Sequence, residues 1–234
     1  MMVKLGLKQG IPFLENGDRL TRYEFERRYQ AMSRHQKAEL IEGVVYLASP
    51  LRFESHAEPH GYTITWLGVY AASTPGVRLG IEPTVRLDAN NEPQPDGVLL
   101  ITPTAKGQSR LGDDDYIEGA PELVVEIAAS SVAIDLHDKK KAYSRNGVKE
   151  YIVWQIFENK LDWFRLQEGE YVSLEVDANG VIKSQVFPGL WLSISNLLAG
   201  NMQQVLAVLQ LGLNSREHQL FVQQNSGVKI EESE

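Results

Sequence analysis

The sequence predicts one α/β (α+β) domain, with a mixed central sheet flanked by helices and a helical arm at its C-terminal end. Three observations lead there. Two near-continuous apolar runs of strand length, ELVVEIA from Glu122 and KEYIVWQIF from Lys149, have the composition of interior strands covered on both faces. Stretches with helical periodicity alternate with them, and Gly, Pro and Asn clusters separate the two kinds of segment. With 234 residues, and neither an internal repeat nor a linker, the chain suffices for one well-cored domain.

Residues 1–18 read as an irregular lead-in. LTRYEFERRYQAM then opens a helix, because Thr21 and Glu24 have capping-box spacing and Phe25 begins an apolar stripe. Ala38 to Pro50 reads as two short strands joined at Glu42-Gly43, an acid-Gly pair suited to a hairpin turn. A second helix follows Pro59 and stops at Thr74-Pro75-Gly76. TVRLDANNEPQPDGVLLI reads as strand, turn and strand, and the polar segment from Thr102 to Ala120 as a solvated loop. After ELVVEIA comes a lysine-bearing helix ending at Asn146-Gly147, then KEYIVWQIF, then a hairpin turning at Gln167-Glu168-Gly169. The domain is expected to span residues 19–195, the helical arm 196–222, and a short, charged, disordered tail 223–234.

Composition narrows the function. There is no cysteine, which excludes disulfides and thiolate metal sites and fits a reducing cytoplasm. No apolar run reaches the length of a membrane span, and the first residues carry no signal-peptide pattern. The net charge of −8 counts against a general nucleic-acid binder, since phosphate contacts favour a basic surplus. A metal ion and a local basic strip would still allow an acidic enzyme to cut a phosphodiester. No nucleophile elbow, P-loop or dinucleotide fingerprint is present.

The residues that stand out are acids in apolar surroundings. Asp96 lies in QPDGVLLI and Glu126 in ELVVEIA, and burying a carboxylate there is costly unless a charge compensates it. On neighbouring strands the two would converge at one end of the sheet. They could then hold Mg²⁺ (or Mn²⁺), with the Ile127 carbonyl as a third oxygen ligand. In DLHDKKKAY, Asp135, Lys139 and Tyr143 share one helical face, whereas Lys140 and Lys141 rotate away. That spacing selects Lys139 as the functional lysine. Glu39 in AELIEG is a possible accessory acid that reads slightly better as a surface strand residue. His56 and His60 have helical spacing, but without a third ligand at zinc-like spacing they read as ordinary hydrogen-bonding residues.

Together, AELIEGVVYLASP, EPQPDGVLLI, GAPELVVEIAASS and DLHDKKKAYSRNGVKEYIVWQ resemble the Uma family of putative restriction endonucleases. That family is abundant in cyanobacteria and belongs to the wider PD-(D/E)XK nuclease-like group. The resemblance implies a restriction-endonuclease-like fold and a metal-dependent nuclease acting on DNA, with Asp96, Glu126 and Lys139 as catalytic residues and Asp96, Glu126 and Ile127 on the metal. Pro95-Asp96 matches the family's PD step, Glu126 its second acid, and Glu39 the acid of its ELI-G segment. Where the wider group has a lysine two residues after the second acid, this chain has Ala128; Lys139 on the following helix stands where the family takes its lysine. Glu126-Ile-Ala-Ala-Ser-Ser replaces the commoner E-V-L-S-P-S.

A second reading is a catalytically silent binding or scaffold protein that keeps the fold. A homodimer or higher even-numbered oligomer is also expected, because Leu198, Met202, Val205, Leu209, Leu213 and Phe221 form an apolar stripe that must be covered.

Overall fold

The computed structural model describes residues 10–32 and 36–225. Residues 10–18 run without helix or strand, and residues 1–9 and 226–234 of the expected lead-in and tail lie outside the described residues. The first helix, α1 (Arg22–Tyr29), starts where Thr21 accepts the Glu24 N–H. The Glu24 carboxylate does not complete a capping box, because Arg27 and Arg28 hold it at 2.7 Å each. Strands β1 (Ala38–Ile41) and β2 (Val44–Leu47) pair antiparallel across Glu42-Gly43, as expected. Both turn residues have positive φ (50° and 75°), the backbone of a tight type I′ hairpin.

A π-helical turn, Phe53–Ala57, leads into α2 (Glu58–Ala72), which ends before Thr74-Pro75-Gly76. Next come β3 (Val77–Ile81), β4 (Val85–Arg86), β5 (Gly97–Ile101), β6 (Arg110–Leu111), β7 (Ile117–Glu118) and β8 (Leu123–Ala128). A second π-helical turn, Ile134–Lys139, opens α3 (Lys140–Asn146), closed by Gly147 at φ 85°. The chain continues through β9 (Glu150–Gln155), β10 (Lys160–Gln167), β11 (Glu170–Ser173), β12 (Val181–Lys183) and β13 (Trp191–Ser193). It closes with α4 (Ile194–Leu198), α5 (Met202–Leu213) and α6 (Arg216–Asn225). Residues 223–225, expected in the tail, thus extend α6.

The central sheet has six strands in the order β11-β10-β9-β8-β5-β3, mixed because β8 and β9 run parallel and the other neighbours antiparallel. This is the α+β architecture expected. β8 and β9 occupy its interior, and every residue of both is buried. Period-two alternation divides β8 between two cores. Leu123, Val125 and Ile127 pack with α2 and α5, whereas Val124 and Ala128 join Val98, Tyr143, Tyr151 and Val153 on the opposite face. Glu126 has the second parity, so its carboxylate enters the layer beneath α3.

Two segments differ from the sequence reading. Val85–Arg86 does not pair with β5; it forms a small three-stranded sheet with β7 and β6. The segment Thr102–Ala120 is therefore more ordered than a solvated loop, because Ile117, only 3 % exposed, anchors β7 in the second core. The C-terminal stripe is covered by its own chain: Val205, Leu209 and Leu213 lie in the same core as Trp66 and Tyr70 of α2, with Leu198, Met202 and Phe221 packed against it. The stripe therefore does not require a second copy. Among the described residues no helix is long and apolar enough to cross a membrane.

Gly212 on α5 lies against the backbone of Gly189. A Cβ at Gly212 would be driven into the Gly189 carbonyl and to 2.8 Å from Trp191 Cγ. Gly212→Ala is expected to cost about 1–3 kcal/mol by overpacking, seen in thermal melts as a Tm lower by several degrees. An unchanged Tm would mean that α5 is not docked as described.

Candidate active site: an acid row and a buried lysine

Strand register builds the site. β5 pairs with β3 through Gly97↔Ile81 and with β8 through Gly97↔Val125. One step further along, Asp96 lies between Glu82 on one side and Glu126 on the other. The main chain holds this row together: the Glu82 N–H donates to the Asp96 carbonyl at 3.2 Å, and the Ile127 N–H to Asp96 Oδ2 at 2.7 Å. Asp96 and Glu126 share the parity of Val98 and Val124, which places their side chains on the same face of the sheet.

The lysine approaches from above. Lys139 Nζ lies 3.0 Å from Glu126 Oε1, 3.1 Å from Glu39 Oε1 and 3.5 Å from Asp135 Oδ1. Tyr143 donates its hydroxyl to the same Glu126 oxygen at 2.8 Å. Glu39, on β1, also accepts the Gln94 N–H at 2.6 Å, so this hairpin acid reaches the cluster. Asp135 Oδ2 accepts the Ser131 hydroxyl at 2.6 Å, while its Oδ1 is buried without a hydrogen-bond partner. Of the three consecutive lysines only Lys139 enters. Lys140 lies with Nζ 3.5 Å from the centre of the Phe164 ring, and Lys141 is exposed.

The electrostatics follow from burial. Burial pushes the Glu126 carboxyl well above the usual range, against the attraction of Lys139, and Asp135, Asp96 and Glu39 push it further. Burial also raises Asp135. Burial works against charge on Lys139, but Glu126, Glu39 and Asp135 outweigh it and hold the ammonium well above its ordinary value. For Asp96, burial is opposed by His56 and the Ile127 N–H, and the net shift is downward. Glu126, Asp135 and Glu39 thus share a single ammonium, while Asp96 is paired with His56. That surplus of oxygen donors suits a divalent cation.

The structure also assembles residues that sequence reasoning set aside. His56, His60, Glu82 and Asp96 each bring one ligand-capable atom within 4.8 Å of the others. The i, i+4 spacing of the histidines was visible, but Glu82 follows an edge strand, β3, that the sequence did not reveal. Only the β3–β5 register delivers it to Asp96.

The profile of the Uma2 family, described as putative restriction endonucleases, matches residues 22–195, most of the chain. The chain belongs to that family. In structure it is similar to a putative nuclease of the DUF820 group from Anabaena variabilis ATCC 29413, at 17% identity and a TM-score of 0.56, covering 77% of this chain and 98% of the other. That likeness supports the nuclease-like fold. No curated protein matches the sequence. In this Uma2 protein the acids and lysine that carried the resemblance are the ones brought together beneath α3.

Replacing Lys139 with Met would leave Glu126, Asp135 and Glu39 without their counter-charge, and is expected to cost about 3–5 kcal/mol. The deficit should depend on pH. A carboxyl whose folded pKa is raised favours the fold below its ordinary pKa and loses that contribution as pH rises through the folded value. Melting curves from about pH 5 to about pH 8 should therefore show the gap between variant and wild type widening. A gap that stays constant would mean that the carboxylates are compensated by something else.

Proposed function

We propose that this Uma2 protein is a divalent-metal-dependent endonuclease that hydrolyses phosphodiester bonds in DNA. The supporting observation is the buried surplus of carboxylates around one lysine. A scaffold would be more stable with apolar residues throughout this cluster, since even paired buried charge is costly. Asp96, Glu126 and the Ile127 carbonyl would hold Mg²⁺ or Mn²⁺, and the bound ion would polarise the scissile phosphate and lower the cost of its added negative charge.

Each protein group has a distinct part in this reading. Lys139 is held as an ammonium by three acids, so it acts as a fixed positive charge and hydrogen-bond donor, not as a base. It offsets charge developing on the phosphorus-centred transition state, or orients the attacking water against the phosphate. Tyr143 and Asp135 position Glu126 and Lys139. The Glu39 carboxylate, more open to solvent than Glu126, secures Lys139 from the hairpin side. Absence of cysteine suits work in a reducing cytoplasm. A homodimer would suit cleavage of both duplex strands through twofold symmetry, although the C-terminal stripe does not call for it.

The net charge of −8 gives the alternative some weight: a catalytically silent binding protein that retains the fold. Incubation of plasmid DNA, and in parallel a single-stranded RNA, with Mg²⁺ or Mn²⁺ separates the two. Cleavage of DNA that stops on chelation is expected, and Asp96→Asn should slow it by about 10²–10³-fold. Cleavage of RNA alone would change the substrate. No cleavage of either, together with no metal-induced rise in Tm, would leave the scaffold reading.

A further inference from the structure

We propose that His56 is a metal ligand alongside Asp96, and that this imidazole makes the site selective for first-row transition dications of the Mn²⁺ class over Mg²⁺. The inference rests on the metal-dependent reading above and specifies which ion that site prefers.

The geometry around Asp96 is lopsided. On the β8 side, Glu126 Oε1 is already engaged by the Lys139 ammonium and the Tyr143 hydroxyl, at 3.0 and 2.8 Å. On the β3 side lie His56, His60 and Glu82, within 4.8 Å of one another and of Asp96 through one ligand-capable atom each. His56 Nε2 is buried and pairs with Asp96 Oδ1 at 3.3 Å without hydrogen-bond geometry. A buried imidazole nitrogen held this close to a carboxylate, with no hydrogen bond between them, is placed to share an ion with it.

His60 lies beside the same residue, its Nε2 donating to the Asp96 carbonyl at 2.8 Å. Glu82 holds a left-handed backbone, φ 50°, which is uncommon for a residue with a side chain and is stabilised here by its N–H bond to Asp96. A mixed nitrogen and oxygen donor set matters for the choice of ion. Mg²⁺ favours oxygen donors and keeps its waters, whereas imidazole suits the softer transition dications.

The full-length protein, stripped with chelator, is titrated with Mn²⁺ and followed by electron paramagnetic resonance, with Mg²⁺ as competitor. Mn²⁺ should bind more tightly than Mg²⁺, and pulsed spectra of the wild-type complex should show hyperfine coupling to imidazole ¹⁴N. In His56→Ala the coupling should weaken and the preference for Mn²⁺ should shrink, while Asp96→Asn should lose both ions. A wild-type spectrum without ¹⁴N coupling overturns the proposal even if a variant folds poorly, and coupling that persists in His60→Ala assigns it to His56. Tight Mn²⁺ binding without ¹⁴N coupling, or an unchanged preference in folded His56→Ala, would make His56 a structural partner of Asp96 and leave the nuclease reading intact. Failure of every divalent ion to bind would overturn both.

Discussion

Glu126 lies in the middle of the most buried strand of the molecule, and the surroundings that make its burial tolerable shape much of the structure. A carboxylate between Val125 and Ile127, with Val124 and Ala128 on its own face, is left only 4 % exposed. Lys139 and Tyr143 supply its hydrogen bonds from above. Lys139 in turn requires more than one acid, and it draws in Asp135 from its own helical turn and Glu39 from a distant hairpin. One buried charge thus fixes the position of α3 over the sheet and of β1 beside it.

A second network secures the same arrangement from outside. Arg145, near the end of α3, reaches Glu42 in the hairpin turn at 2.6 Å and Asp88 at 3.1 Å. Asn146 adds a 2.8 Å bond to Asp88. Exposed pairs of this kind contribute little singly, but here they close a ring from hairpin to helix that keeps Glu39 within reach of Lys139. Both π-helical turns also serve the site, since Phe53–Ala57 carries His56 and Ile134–Lys139 carries Asp135 and Lys139. Wider turns of this type recur where a helix must offer side chains to a functional centre.

The acidic character of the chain and its family need not conflict. The excess of acids is partly internal, gathered around Asp96 and Glu126, where under the proposed function it would attract a cation rather than repel a polyanion at long range. In a site of this kind the metal, once bound, supplies the positive potential that a basic surface would otherwise provide.

Much of this was legible in the sequence because it depends on local pattern. A near-continuous apolar run, interrupted by Glu126, announced β8, the Glu42-Gly43 pair announced a hairpin, and spacing by four singled out Lys139 from its neighbours. Asp96 and Glu126 stood out for the same reason, as charges in segments too apolar to leave exposed. What the sequence could not supply was registration between segments far apart in the chain. The edge strand β3 has an ordinary composition, so nothing local marked Glu82 as the neighbour of Asp96. The two histidines looked like an isolated pair until the sheet brought carboxylates to them. The C-terminal stripe correctly required a cover, but whether its own core or a second copy would provide it depended on the path of α5 across α2. Pattern determines which side chains must be buried or compensated; only the packed chain decides by which partners, because those partners are chosen by three-dimensional distance and not by separation along the sequence.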